Sequence, residues 1–203
     1  MKGKSEVVKK GYNKIAKKYH DQRDTYPSKK ILSKFLKSMK KGAEVLDIGC
    51  GAGVPVSRIL VKNGYEVTGI DFSKSMVELA RKNVSRAKFI KMDMTKLKFS
   101  PNSFDGAVSF YAIIHVPREK HAKIYNSLHR ILKSGGIIFV NPTGPDNFEG
   151  YEENYMGVPM FWSHYGPEKT SKIIENAGFE ILWSGIEKLG NEKQFWVLAR
   201  NKK

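Results

Sequence analysis

Apolar residues recur at helical spacing twice near the start of the chain. Val8, Tyr12, Ile15 and Tyr19 form one stripe within 7–20, and Ile31, Leu32, Phe35, Leu36 and Met39 another within 28–40. Pro27 stands ahead of the second as a start signal. The pattern then changes to short apolar runs separated by amphipathic stretches. Strands are predicted at 44–48, 65–70, 87–92, 104–110 and 135–140, with helices at 55–62, 74–83 and 118–132. Ser73 is the expected cap of the helix over 74–83. An irregular stretch follows, then a helix over 167–176 with Pro167 at its start and Gly178 past its end. Two closing strands, 179–189 and 195–201, are joined by the turn "GNEK". Strands alternating with helices imply a parallel sheet covered on both faces, and the last two strands, with no helix between them, require one antiparallel member.

Composition narrows this picture only a little. The 203 residues, 40% hydrophobic and 28% charged, suit one domain with a full core. One cysteine, Cys50, allows no intrachain disulfide and suits a reducing compartment. No run of 18 apolar residues occurs, and the N-terminus lacks an apolar signal core, so a cytoplasmic protein without a membrane span is expected. The net charge of +16 is either a lysine-rich solvated surface or a footprint for an anionic partner such as nucleic acid. Its distribution is uneven: residues 1–41 hold 14 Lys/Arg against 3 Asp/Glu, whereas 134–168 contain no Lys or Arg.

The candidate chemistry begins at "VLDIGCGAG", residues 45–53, where a strand breaks into a glycine turn ahead of a helix. Such a turn lets a ligand approach the backbone and offers free N–H groups at the helix start. Gly49, Gly51 and Gly53 give G-x-G-x-G, and Val54 occupies the place of the third glycine of a dinucleotide fingerprint. No phosphate-binding Gly-Lys-Ser/Thr follows. Asp47, two residues before the first glycine, would repel a pyrophosphate and suits a ligand carrying positive charge. S-adenosylmethionine, with its ammonium and sulfonium, meets that requirement. Asp71, 22 residues after Gly49, is placed to take two ribose hydroxyls, with Phe72 beside it for the adenine. Asp93 can accept from the adenine amine and Met94 can cover its ring. The three acids fall at or near the ends of successive strands, where open sheets bind ligands.

These segments resemble the class I S-adenosylmethionine-dependent methyltransferases over nearly the whole chain. "VLDIGCGAG" resembles motif I, "GIDFS" the ribose site, "KMDMTKLKFSPNSFDGAVSFYAIIHV" the adenine site with the fourth strand, and "LKSGGIIFV" the turn into the fifth. "YNKIAKKYHD" is similar to the N-terminal helix that closes over the cofactor. The resemblance implies a Rossmann-like, doubly wound seven-stranded α/β sheet of order 3-2-1-4-5-7-6 with strand 7 antiparallel. It implies a single domain over 1–203, with 1–41 a helical cap and 142–166 a substrate lid. Tyr12 and Tyr19 would then lie near the methionine end of S-adenosylmethionine, and Phe110 beside the cofactor. The released product would be S-adenosylhomocysteine.

Individual residues keep alternative readings. Tyr19 also belongs to an apolar stripe, and Met76 reaches either the adenine or the core. Asp47 is read as holding loop N–H groups beside the cofactor, and Cys50 as a small filler. His115 either orients substrate, acts as a base, or is a strand-end histidine with structural hydrogen bonds; His121 and His129 are expected at a surface or groove. No set of histidines and acids has metal-ligand spacing, so no metal is expected. Over 142–168, five acids and six large aromatics (Phe148, Tyr151, Tyr155, Phe161, Trp162 and Tyr165) follow the fifth strand. They are read either as loop packing or as a lid for a flat apolar acceptor or an amine held by cation–π contact. Tyr111, His115, Tyr155, Trp162 and His164 are the candidate acceptor residues. A small-molecule acceptor is favoured, because the nucleic-acid motif Asn/Asp-Pro-Pro-Tyr/Phe does not follow the fourth strand, where "SFYAIIHVP" stands. The alternatives are RNA or protein methylation through the basic N-terminal face, and a dehydrogenase-like nucleotide binder.

Overall fold

A computed structural model describes residues 3–23, 28–189 and 192–203. The chain opens with α1 (Lys4–Arg23) and α2 (Ser28–Lys37). It then alternates β1 (Glu44–Ile48), α3 (Val56–Lys62), β2 (Glu66–Asp71), α4 (Lys74–Asn83), β3 (Lys88–Lys91) and β4 (Phe104–Ser109). Next come α5 (His121–Ile131), β5 (Leu132–Thr143), β6 (Phe148–Tyr155), β7 (Val158–His164), α6 (Pro167–Asn176), β8 (Phe179–Leu189) and β9 (Glu192–Asn201). The main sheet is ordered β3-β2-β1-β4-β5-β9-β8, and β6 and β7 pair separately. Strands β1 to β5 pair in parallel, and β9 runs antiparallel to both its neighbours. With the small hairpin set aside, this is the expected order with its reversed last strand.

Burial on both faces explains the unbroken apolar run of β1. Val45 joins a core under α1, α2, α3 and α4, whereas Leu46 and Ile48 join a second core with α5 and α6. Each fully buried Leu or Ile contributes about 1.5–3 kcal/mol relative to exposure. Alternation therefore aims Asp47 at the α1–α4 face. The Ser73 cap forms as expected, its hydroxyl accepting from the Met76 N–H at 3.2 Å.

Several boundaries and one element differ from expectation. The stretch 142–166 is not irregular: it contains an antiparallel hairpin, with Tyr155 opposite Val158 across the two-residue turn Met156-Gly157. Both turn residues have positive φ, 57° and 94°. The primed turns of tight hairpins require such angles, and Met in place of Asn or Asp concealed the signal. The helix α2 stops at Lys37 rather than residue 40, because the Ser38 N–H turns back to the Phe35 carbonyl and its hydroxyl to that of Lys34. A short 3-10 turn, Arg118–Lys120, precedes α5. The strand β5 begins at Leu132 rather than 135, with a register shift against β4. His121 is not at the surface: it is buried, its Nε2 bonded to the Val116 carbonyl at 2.9 Å, and burial lowers its pKa to about 4. Pro27 and the turn at 190–191 lie outside the described residues. No helix among the described residues is long and apolar enough to cross a membrane.

Gly157 offers a clean test of the hairpin, since a Cβ there would meet nothing within 4 Å. The variant Gly157→Ala adds only the left-handed backbone penalty, about 1 kcal/mol. Its melting temperature is expected to fall by about 2–4 °C in calorimetry.

Candidate cofactor and acceptor site

The glycine turn after β1 is built by its backbone. The Gly49 and Cys50 N–H groups donate to the Ile70 carbonyl at 2.8 and 3.0 Å, fastening the turn to the end of β2. Gly49 has φ +69°, and a Cβ there would stand 2.2 Å from that of Ala112, so glycine is required twice over. Gly51, at φ +53°, would carry its Cβ into open space.

Two carboxylates are buried beside this turn. Asp71 is 8% exposed; its Oδ1 accepts from the Ser73 N–H at 2.8 Å and its Oδ2 from the Gly51 N–H at 3.1 Å. The Phe72 N–H also acts on this carboxylate, and of its about four acceptor positions at least one stays open for a further donor. Burial raises the Asp71 pKa to about 6. Asp47 is buried more deeply and receives the Ser57 hydroxyl at 2.5 Å and the Ser57 backbone N–H. Burial, opposed by Ser57 and reinforced by the charge of Asp71, raises its pKa to about 7. The expected role of Asp47 is thereby corrected: it holds the first turn of α3, and the loop N–H of Gly51 belongs to Asp71. Asp93 is exposed after β3, and its Oδ1 accepts the N–H and hydroxyl of Thr95, each at 2.8 Å.

One cavity runs along these strand ends beneath α1. Gly49, Gly51, Asp71 and Phe72 line one side, with Met76, Asp93 and Met94 beyond. Tyr12, Tyr19, Phe110, Tyr111 and His115 close the other. Asp47 lies apart, in an adjoining recess under the glycine turn with Tyr19 and His20. No Lys or Arg lines the main cavity among the described residues. Sequence reasoning missed Ser5, Thr95 and Ala112, which also line it, and Asn13. The Asn13 Oδ1 receives the Ser73 hydroxyl at 2.7 Å and the Ser75 N–H at 3.3 Å, tying α1 to the start of α4. Its one sequence signal is its place next to Tyr12 on the stripe.

A second cavity continues from the first. Tyr12, Tyr19, Tyr111 and His115 are shared, and Ile114, Glu152, Tyr155, Trp162 and Gln194 complete it. His115 is fixed from both sides: its Nδ1 lies 2.9 Å from the Phe161 carbonyl and its Nε2 2.7 Å from the Tyr12 hydroxyl. A carbonyl only accepts, so Nδ1 carries the proton and Nε2 accepts from Tyr12. The Trp162 ring lies 4.3 Å from the His115 ring, and Tyr155 meets Trp162 edge-on at 5.2 Å. Tyr111 holds a left-handed φ of 56°, and its N–H donates to the Asn141 Oδ1 at 2.7 Å. Backbone strain of this kind concentrates at functional sites. Four of the five acceptor candidates thus converge. His164 lines a neighbouring recess that shares Ile114, Glu152, Trp162 and Gln194 with this cavity, and it bonds to the Thr143 hydroxyl at 2.8 Å. Among the described residues, no group of three or more His, Cys, Asp or Glu is placed to hold a metal.

Residues 45–136 match the family described as "Methyltransferase domain". The sterol 24-C-methyltransferase of Gibberella zeae is 34% identical over 159 residues, 71% of this chain and 41% of its own length. The chain therefore spans about two fifths of the length of the sterol enzymes it matches. The demethylmenaquinone methyltransferase of Staphylococcus aureus is 28% identical over an alignment of 212 positions, gaps included, that covers 88% of this chain and 87% of its own. A crystal structure of an S-adenosylmethionine-dependent methyltransferase from Methanosarcina mazei shares the fold, with a TM-score of 0.74 at 22% identity over 88% of this chain and 98% of that one. The strand order and the reversed last strand are those of the fold shared with that structure, and residues 45–136 match the methyltransferase domain family, with the left-handed glycine turn and the acidic strand ends inside the matched segment.

Proposed function

We propose that the chain transfers a methyl group from S-adenosylmethionine to a small-molecule acceptor by in-line displacement. The observation that carries this reading is the cation-free cavity beside Asp71 and Asp93 in a chain of net charge +16. A pyrophosphate would meet carboxylates there and no Lys or Arg among the described residues, which disfavours a dinucleotide. The donor set fits an adenosine carrying positive charge. The Asp71 carboxylate would accept from the ribose hydroxyls, Phe72, Met76 and Met94 would flank the adenine, and Asp93 would accept from its amine. Tyr12 and Tyr19 would cover the methionine end from α1. When bound, S-adenosylmethionine supplies a methyl group already activated on a sulfonium.

What remains for the protein is alignment, water exclusion and, for a protic acceptor, proton removal. The hairpin β6–β7 and α1 would cover the two cavities as lid and cap, in keeping with the small acceptors named for the sterol and menaquinone relatives. Tyr12 and His115 form a ready relay: a proton reaching the Tyr12 oxygen displaces the hydroxyl proton onto His115 Nε2. The Phe161 carbonyl facing Nδ1–H would stabilise the imidazolium that results.

Calorimetry is expected to show S-adenosylmethionine binding with no measurable NAD binding; the reverse would sink this reading. Replacing Asp71 with Asn should weaken cofactor binding about 10–100-fold, the loss of charged hydrogen bonds worth about 1.5–3 kcal/mol. Cofactor affinity is expected to rise as pH increases from about 5.5 to 8. A cationic ligand favours the ionised forms of Asp71 and Asp47, whose pKa values stand at about 6 and 7, so binding releases protons. The same raised values mean that the folded, ligand-free state holds extra protons between about pH 4 and 7, so its stability should fall across that interval. Tyr155→Ala and Trp162→Ala should raise the acceptor KM while leaving cofactor affinity intact. Steeply salt-dependent RNA binding would instead favour a polynucleotide acceptor at the basic N-terminal face.

A further inference from the structure

The second cavity carries information about what enters it. Its walls are aromatic: Trp162, Tyr155, Tyr111 and the shared Tyr12–His115 pair. Beside the tyrosine hydroxyls, its polar groups include the Glu152 carboxylate and the Gln194 amide. The Glu152 Oε2 receives the Trp162 indole N–H at 3.1 Å, and Glu152 has no salt bridge among the described residues. Glu149 on the same strand, by contrast, is bridged by Lys4 at 2.5 Å and Arg118 at 3.4 Å. The Gln194 Oε1, near the start of β9, is shielded from solvent and receives no hydrogen bond among the described residues. A buried carbonyl oxygen without a donor costs about 1–3 kcal/mol, a cost removed when a ligand supplies an N–H or O–H. No Lys or Arg lines this cavity or the outer recess beside it among the described residues.

We propose that the methyl acceptor is an amine on a flat apolar body, its N–H groups received by Glu152 and Gln194 and its body held among Trp162, Tyr155 and Tyr111. This rests on the methyltransferase reading and adds the chemical class of the acceptor. An ammonium gains from both a carboxylate and the aromatic faces, a gain unavailable to a phosphate or carboxylate ligand. Binding as the cation leaves one proton to remove before attack. The amine then supplies the electron pair of the new N–C bond, the pair of the broken C–S bond stays on sulfur, and the amine's surplus proton moves through the Tyr12 hydroxyl to His115 Nε2. The shared wall of the two cavities places that relay between them.

Three probes of one shape decide the matter: 2-phenylethylamine, 2-phenylethanol and 3-phenylpropanoate, titrated calorimetrically with and without saturating S-adenosylhomocysteine. The amine is expected to bind about fivefold tighter than the carboxylate, since Glu152 is exposed and an ion pair with it is worth about 1 kcal/mol. Glu152→Gln should remove most of the amine's advantage over the alcohol. Gln194→Leu should weaken amine and alcohol alike. Both variants should bind S-adenosylhomocysteine as the parent does, showing that they fold. Equal or tighter binding of the carboxylate, or an amine preference that survives Glu152→Gln, overturns the proposal. Absence of S-adenosylhomocysteine binding would overturn the methyltransferase reading instead, and the cofactor-free titrations would still decide the amine question.

Discussion

Two carboxylates removed from water at the ends of β1 and β2 are the constraint around which the site is organised. Burying an ionised group is costly unless hydrogen bonds or a counter-charge compensate. Ser57 compensates Asp47, while Ser73 and Gly51 compensate Asp71, yet burial still raises both pKa values. The glycine turn exists in its left-handed form because the Gly51 N–H must reach Asp71 while Gly49 passes against Ala112. The pocket is thus polarised before anything binds, and a positive ligand is what relieves it.

The N-terminal helix is the second organising element, since it belongs to both cavities at once. Asn13 ties α1 to the start of α4, Tyr12 bonds to His115, and Gly11 lets the helix pass close to Met160 and Pro159 of β7. Lys4 reaches Glu149, and Lys18 reaches the Met156 carbonyl at the hairpin turn. The basic start of the chain and its acidic, aromatic hairpin therefore pack against each other, with the Tyr12–His115 pair at their junction. These surface contacts, one ion pair and one hydrogen bond to a carbonyl, are individually weak; the apolar contact of α1 with β7 dominates the packing. Their arrangement makes the two cavities neighbours with a common wall, so closing one shapes the other.

What the sequence by itself determined follows from local physics. The alternation of apolar runs and amphipathic stretches is a property of consecutive residues, so the sheet, its helices and the strand-end acids could be read directly. The G-x-G-x-G turn, Asp71 and Asp93 were legible because fixed spacing after a strand places them at one sheet edge. Only the tertiary structure decided which groups meet across the chain. It gave Asp47 to Ser57 and the loop amide to Asp71, fixed the tautomer of His115 between Tyr12 and Phe161, and set His164 in the recess that adjoins the acceptor cavity. It also folded 148–164 into a hairpin and brought Gln194 under it. These pairings join residues scores of positions apart, and hydrogen bonds of that range depend on how layers pack rather than on any local periodicity.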